Sequence, residues 1–413
     1  MTDFFWLAFL LIFGLVNAGP QLLYLKKYYS DSEHGIIGVE DGGKLFVASN
    51  DDRALLRNIV ITSGSTTTTL DRLADMNSDG TPKNLTIDGQ LIIRSSNNDA
   101  DTSKLTGYIY VTTWQQARDP SFGVYVITEE HYISRMGMRT TTVILNTAYK
   151  SENSDPYSPL KTSYVTGINH SHNTNLYFSW GVPSSNYTYE TDKMFFKNPL
   201  VFNNYDEHGK LCNTSRIFFD NVEPLQIGIE SWYFESMGPV NMIIKNQYVS
   251  ATNYSTTAVN TTGLIVNDFI YQPHQVNFQW DLTRQSFVGT LVSTINLTSP
   301  VEFLLDGAGI VSQVYDGSMG PVLSESQFPA ARLLVNSTNL LPGTFYCQYY
   351  GFSGDLLSTI ATTPTTPAPV TTSKDSPGNA ISTSTIQTST RSSFRYQTIL
   401  NFSMTFLIYA ILN

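Results

Sequence analysis

Charge is scarce in this chain. Of 413 residues only 14% are charged, with 24 Lys and Arg against 34 Asp and Glu. The formal net charge of −10 leaves no basic stripe to displace counterions from phosphates, which argues against nucleic acid as a partner. It gives no attraction to an anionic membrane surface either. Cysteine is nearly absent, at two residues, so no disulfide framework holds the fold and cores must stabilise it. Cys212 and Cys347 can form one bridge or stay as two separate thiols, and sequence does not choose between them.

Long helical stripes are missing between residues 20 and 354, apart from a short candidate in "TTTTLDRLADM". Enzyme signatures are missing as well: no G-x-S-x-G elbow, no H-E-x-x-H, no Gly-rich phosphate loop and no cysteine-nucleophile motif. "GFSGD" at residues 351–355 only superficially resembles a nucleophile turn, and Glu129 and Glu130 point to opposite faces if they lie on a strand. No catalytic, cofactor-binding or metal-binding residue is therefore assigned.

What the chain does have is aromatic: 24 Tyr and 23 Phe, in short β-branched runs bounded by Gly, Asn, Asp, Ser or Pro. "KLFVAS", "RNIVITSG", "GYIYVTTW", "TTTVILNT", "NLYFSWGV", "NMIIKNQYV" and "TFYCQYY" are examples. The expected fold is all-β, as tandem antiparallel β-sandwich modules. The order strand, small-residue turn, Leu, strand, Gly, aromatic strand recurs near residues 60 and 314, and Trp180 and Trp280 lie about one domain length apart. Modules are expected at 19–150, 151–256 and 257–354.

The ends carry targeting signals. "MTDFFWLAFLLIFGLVNAGPQ" has an apolar run followed by Val16 and Ala18, spaced like a signal-peptidase site, so residues 1–18 read as a signal peptide. "STIATTPTTPAPVTTSKDSPGNAISTSTIQTSTRSS" is about half Ser and Thr. Such a segment cannot bury enough surface to offset its chain entropy and reads as a disordered, O-glycosylated stalk over 355–393. The apolar tail 394–413 carries no basic residue beyond it and resembles a glycosylphosphatidylinositol (GPI) attachment signal, with Ser382, Ser389 and Ser392 as candidate attachment residues. Eight Asn-x-Ser/Thr sequons precede the stalk: Asn84, Asn169, Asn186, Asn213, Asn253, Asn260, Asn296 and Asn336. Hydrated sugar at these positions would keep an aromatic, weakly charged surface soluble.

The order Trp280, then Val314-Tyr315-Asp316-Gly317, then Leu333 to Val335, then Gly343 to Tyr349 resembles a divergent CUB domain, a β-sandwich of the jelly-roll type. The resemblance implies binding of extracellular proteins or glycans. The paired cysteines of that family are missing, and the position of its upstream calcium acid holds Ile310 in the last module and Arg57 in the first. Asp316 therefore reads as a turn residue. Asp75, Asn77, Asp79 and Gly80 copy the opening of a Ca²⁺ loop, but its closing acid falls on Thr86. His170 and His172 would share one strand face without a third ligand. The expectation is a GPI-anchored surface glycoprotein that acts in recognition or adhesion on an extracellular protein or glycan ligand. A structural glycan-coat protein is the rival, and a secreted hydrolase comes third.

Overall fold

The computed structural model describes residues 19–353, except 30–32, 150–159, 186–189, 207, 250–252, 268–272, 281–285, 308 and 324–329. The expected signal peptide, stalk, GPI tail, Asn186, Ser382, Ser389 and Ser392 all lie outside the described residues.

Strands dominate, as their β-branched and aromatic runs predict, and they build three large cores with two smaller clusters beside them. The first lies between two four-stranded sheets. One runs in the order Gln21–Tyr24, Tyr108–Val111, Lys44–Ala48, Asn84–Thr86, and the other in the order Glu33–Ile36, Leu91–Ser95, Ile59–Ser63, Thr66–Thr69. Alternation sends Leu45, Val47, Ile59, Ile61, Leu91, Ile93, Ile109 and Val111 into this core. The short helices Arg53–Arg57 and Leu70–Leu73 close it, the second falling inside the one helical candidate of the sequence.

Tyr108–Val111 is buried on both faces. Its other side, with Phe46, Tyr108 and Tyr110, packs on Val126, Val143, Leu145 and Tyr233 of a five-stranded sheet. That sheet runs Met194–Asn198, Leu176–Trp180, Ser231–Ser236, Thr140–Asn146, Phe122–Ile127, with the last two strands parallel. Its opposite face meets a nine-stranded sheet across the second core, around Trp232, Phe178, Phe195, Phe196 and Phe234. Trp232 is fully buried, and its indole N–H donates to the Ser163 hydroxyl at 3.3 Å. The far half of the nine-stranded sheet covers the third core. There it packs on a five-stranded sheet in the order Asn253–Thr257, His274–Gln279, Ala330–Ser337, Val301–Gly307, Ile310–Tyr315.

These pairings run across both expected module borders. Phe122–Ile127, Glu130–Arg135 and Thr140–Asn146, expected in the first module, are hydrogen-bonded into sheets with Ser231–Ser236 and Val240–Lys245. Residue 256 is bridged likewise, because Leu225–Ile227 pairs in parallel with Thr261–Asn267. The sheets therefore do not divide at 150 or 256.

Of the two states left open for Cys212 and Cys347, the structure has the separate thiols, with no bridge between them. Cys347 sits inside the strand Thr344–Ser353, fully buried, where burial pushes its thiol pKa up. Cys212 is exposed on the hairpin strand Leu211–Ile217.

Candidate functional site

A cavity of about 500 Å³ opens where the ends of three sheets converge. Leu22 and Tyr24 come from the first strand, and Trp180 ends the strand Leu176–Trp180. The connection Gly228 to Ser231 forms another wall, and Ile295 and Thr344, cross-strand partners, a third. Gly181, at φ +78°, turns the chain away directly after Trp180 while its N–H donates to the Ser231 carbonyl at 2.8 Å.

The polar centre is an ion pair between Lys161 and Glu230, at 2.6 Å and only about a fifth exposed (18% and 25%). The Tyr24 hydroxyl bonds to Glu230. Burial first, and then that carboxylate, raise the Tyr24 pKa to about 12, so the phenol stays neutral as a donor. The Lys161 ammonium lies 4.5 Å from the Tyr108 ring centroid and 5.5 Å from that of Tyr24, a cation held against two aromatic faces. Tyr108 is itself fixed, donating to the Glu230 carbonyl at 2.7 Å. An ammonium has three donors and the carboxylate takes one, so the pair keeps both donor and acceptor capacity for a ligand. Trp180 adds a wide apolar wall with Lys193 5.5 Å over its ring. Its indole N–H is buried without a hydrogen-bond partner among the described residues.

The motif-like residues of the sequence take other roles. Asp75 pairs with Arg53 at 3.0 Å and Lys83 at 3.3 Å, while Asp79 accepts from the Thr81 N–H and hydroxyl. Gly80 supplies the positive φ of a self-contained turn. Among the described residues no three His, Cys, Asp or Glu side chains converge as metal ligands. Asp316 is exposed in the connection between the strands Ile310–Tyr315 and Met319–Leu323, which belong to two different sheets, and Gly317 is not among the positive-φ glycines.

His170 ends the strand Ser163–His170 and His172 follows it, so the two do not share a strand face as a pair of ligands. They flank Phe218, with ring centroids at 4.8 and 4.2 Å. His170 is buried and bonded to the Thr174 hydroxyl at 3.0 Å; burial, then Arg216 and His172, lower its pKa to about 4. His172 is exposed and reaches Asp220 at 2.7 Å.

Of the seven described sequons, Asn84 alone lies before residue 150; Asn169, Asn213, Asn253, Asn260, Asn296 and Asn336 all lie beyond it. None lines the cavity, though Asn296 follows its rim residue Ile295. Asn84, Asn169, Asn253, Asn296 and Asn336 are exposed, and Asn213 and Asn260 are half-buried.

Residues 40–408 match the profile of a family described as "Transmembrane glycoprotein". The chain belongs to the transmembrane glycoprotein family. Family membership makes it a surface glycoprotein, and the matched family is not that of CUB domains, so the CUB-like resemblance gains no support. No curated protein matches the sequence. Among solved structures, a chain of "X-ray structure of the entire lipid-containing bacteriophage PM2" aligns at 9% identity, covering 81% of this chain and 86% of that one. At a TM-score of 0.15 that likeness carries no structural argument. Among the described residues of this family member, no helix is long and apolar enough to cross a membrane.

Tyr24, Lys161, Trp180 and Glu230 were not assigned as site residues from sequence. Only Trp180 had attracted notice there, as half of a tryptophan correspondence. No motif links the four, since the packing of separate sheets and their connections brings them together over long sequence separations.

Proposed function

We propose that this surface glycoprotein acts in extracellular recognition, and that the cavity at Tyr24, Lys161, Trp180 and Glu230 takes a hydroxyl-rich ligand, a saccharide. One observation carries the reading: an aromatic-walled cavity of ligand size with a sheltered ion pair at its centre and, among the described residues, no sequon in its lining. A pyranose offers an apolar C–H face to the Trp180 and Tyr24 rings and hydroxyls to Glu230 and Lys161. A glycan coat as the sole purpose is disfavoured by the crowding of sequons into residues 160–353, which leaves the earlier strands with Asn84 alone.

The anchor in this reading is GPI lipid attached near Ser382, Ser389 or Ser392. It is tested on intact cells with a GPI-cleaving phospholipase. Release of the protein into the medium is expected, and retention would count against the GPI anchor and favour a membrane span.

Ligand binding is tested on the released ectodomain with an immobilised saccharide panel. At least one saccharide is expected to be captured, and Trp180→Ala should weaken it about 30-fold, the loss of a central aromatic contact worth about 2 kcal/mol. Capture unaffected by Trp180→Ala and by Glu230→Gln would move recognition away from this cavity.

A further inference from the structure

The outer face of the third core's sheet carries a second, smaller groove of about 330 Å³. Its floor is apolar, from Leu304 and Leu334, and Gln275 and Glu302 edge it. The register explains why leucines lie outside. Phe303, Leu305, Leu333 and Val335 take the inward positions and fill the core, which leaves Leu304 and Leu334, directly paired, on the outer face. Two other lining residues are Asn253 and Asn336, both sequon asparagines and both exposed. Asn253 pairs with Gln275, which pairs with Leu334; Asn336 stands two residues beyond Leu334 on the same face, opposite Glu302. By strand spacing and rise the two asparagines are about 12 Å apart, enough for two sugar residues side by side. No hydrogen bond among the described residues holds either carboxamide.

We propose that this groove is the seat of the protein's own N-glycans: the first N-acetylglucosamine on Asn253 and on Asn336 lies against Leu304 and Leu334. The occupant follows from the place of attachment, since both linkages start on the groove's rim. The chemistry fits. The pyranose C–H face and the acetyl methyl cover apolar surface that the sheet leaves exposed, while hydroxyl and acetamide groups meet Gln275 and Glu302. Beyond Glu302, Val314 is 59% exposed on the edge strand and falls within reach of the same sugar. The glycans thereby act as an outer layer of the third sandwich and blunt an edge strand that bears apolar side chains.

The proposal rests on the glycoprotein reading and is separable from saccharide recognition at the other cavity. The test uses full-length protein from cells that attach high-mannose chains. Glycopeptide mass spectrometry reports occupancy of Asn253 and Asn336, and hydrogen exchange reads the strands Val301–Gly307 and Ala330–Ser337. Trimming every chain to a single N-acetylglucosamine should leave exchange there unchanged. Complete enzymatic removal from the folded protein, or Asn253→Gln with Asn336→Gln, should speed it about tenfold, the factor for uncovering about 55 Å² of apolar surface. Asn169→Gln, the control, should change it less than twofold, roughly the scatter of a neutral surface substitution. Unoccupied sites overturn the proposal, and so does exchange after complete removal that equals exchange in the trimmed protein.

Discussion

Single side chains decide two outcomes here. Burial first, and then the neighbouring Arg216 and His172, depress the His170 pKa to about 4 from the ordinary 6.5. A depressed histidine contributes stability that is present above pH 6.5 and lost as pH falls toward 4, because the unfolded chain takes up the proton first. Urea unfolding should therefore show a loss of up to about 3 kcal/mol across that window, and His170→Gln should remove most of the slope. An unchanged slope would place the acid sensitivity elsewhere. The thiols give the second outcome. In native protein an alkylating reagent should label Cys212 alone, with Cys347 reacting only on unfolding, since Cys347 is fully buried and its thiolate is disfavoured. Labelling of neither in denatured, unreduced protein would restore the bridge.

Strands and sheets set the next scale. Where Thr261–Asn267 crosses Thr344–Ser353, a Cβ on Gly263 would stand 2.2 Å from the Tyr349 ring. Gly263→Ala should destabilise the protein by about 2 kcal/mol, measured as a lowered unfolding midpoint. Stability within about 0.5 kcal/mol of wild type would mean that Tyr349 has room to turn aside. Because Leu264, Val266 and Tyr346 also pack into the second core, residues 257–353 expressed alone should lack a cooperative unfolding transition. The all-β build was legible because period-two alternation and turn residues are local signals, as in "NMIIKNQYV" and "RNIVITSG". The borders at 150 and 256 were not, because nothing local tells that Phe122–Ile127 pairs in parallel with Thr140–Asn146 and joins the second core. The turn at Asp79 and Gly80 is held by its own side chains, whereas Asp316 lies in a connection between two different sheets. Tyr24 and Glu230, by contrast, meet through the packing of one sheet on another, about 200 residues apart in sequence.

At the scale of the whole molecule, sugar and exposed protein surface are distributed unequally. Sequons gather beyond residue 160, while Tyr29, Ile37, Trp114, Tyr132, Met136 and Met138 stand exposed among the earlier strands. Glycans in this account therefore play two parts: they cover Leu304 and Leu334 on one sheet, and they leave the saccharide cavity uncovered. The second part can be reversed by design. Leu160→Asn places a new sequon on the cavity rim through Lys161 and Thr162, whereas Leu160→Gln makes nearly the same change without one. Capture on the saccharide panel by these two variants, each displayed with its glycans at the cell surface, is the most direct measurement of the central claim. The account predicts that the Gln variant binds within about threefold of wild type, the reach of a rim substitution, and that the glycosylated Asn variant does not bind. Equal capture by both, with the added glycan confirmed by mass, would contradict it.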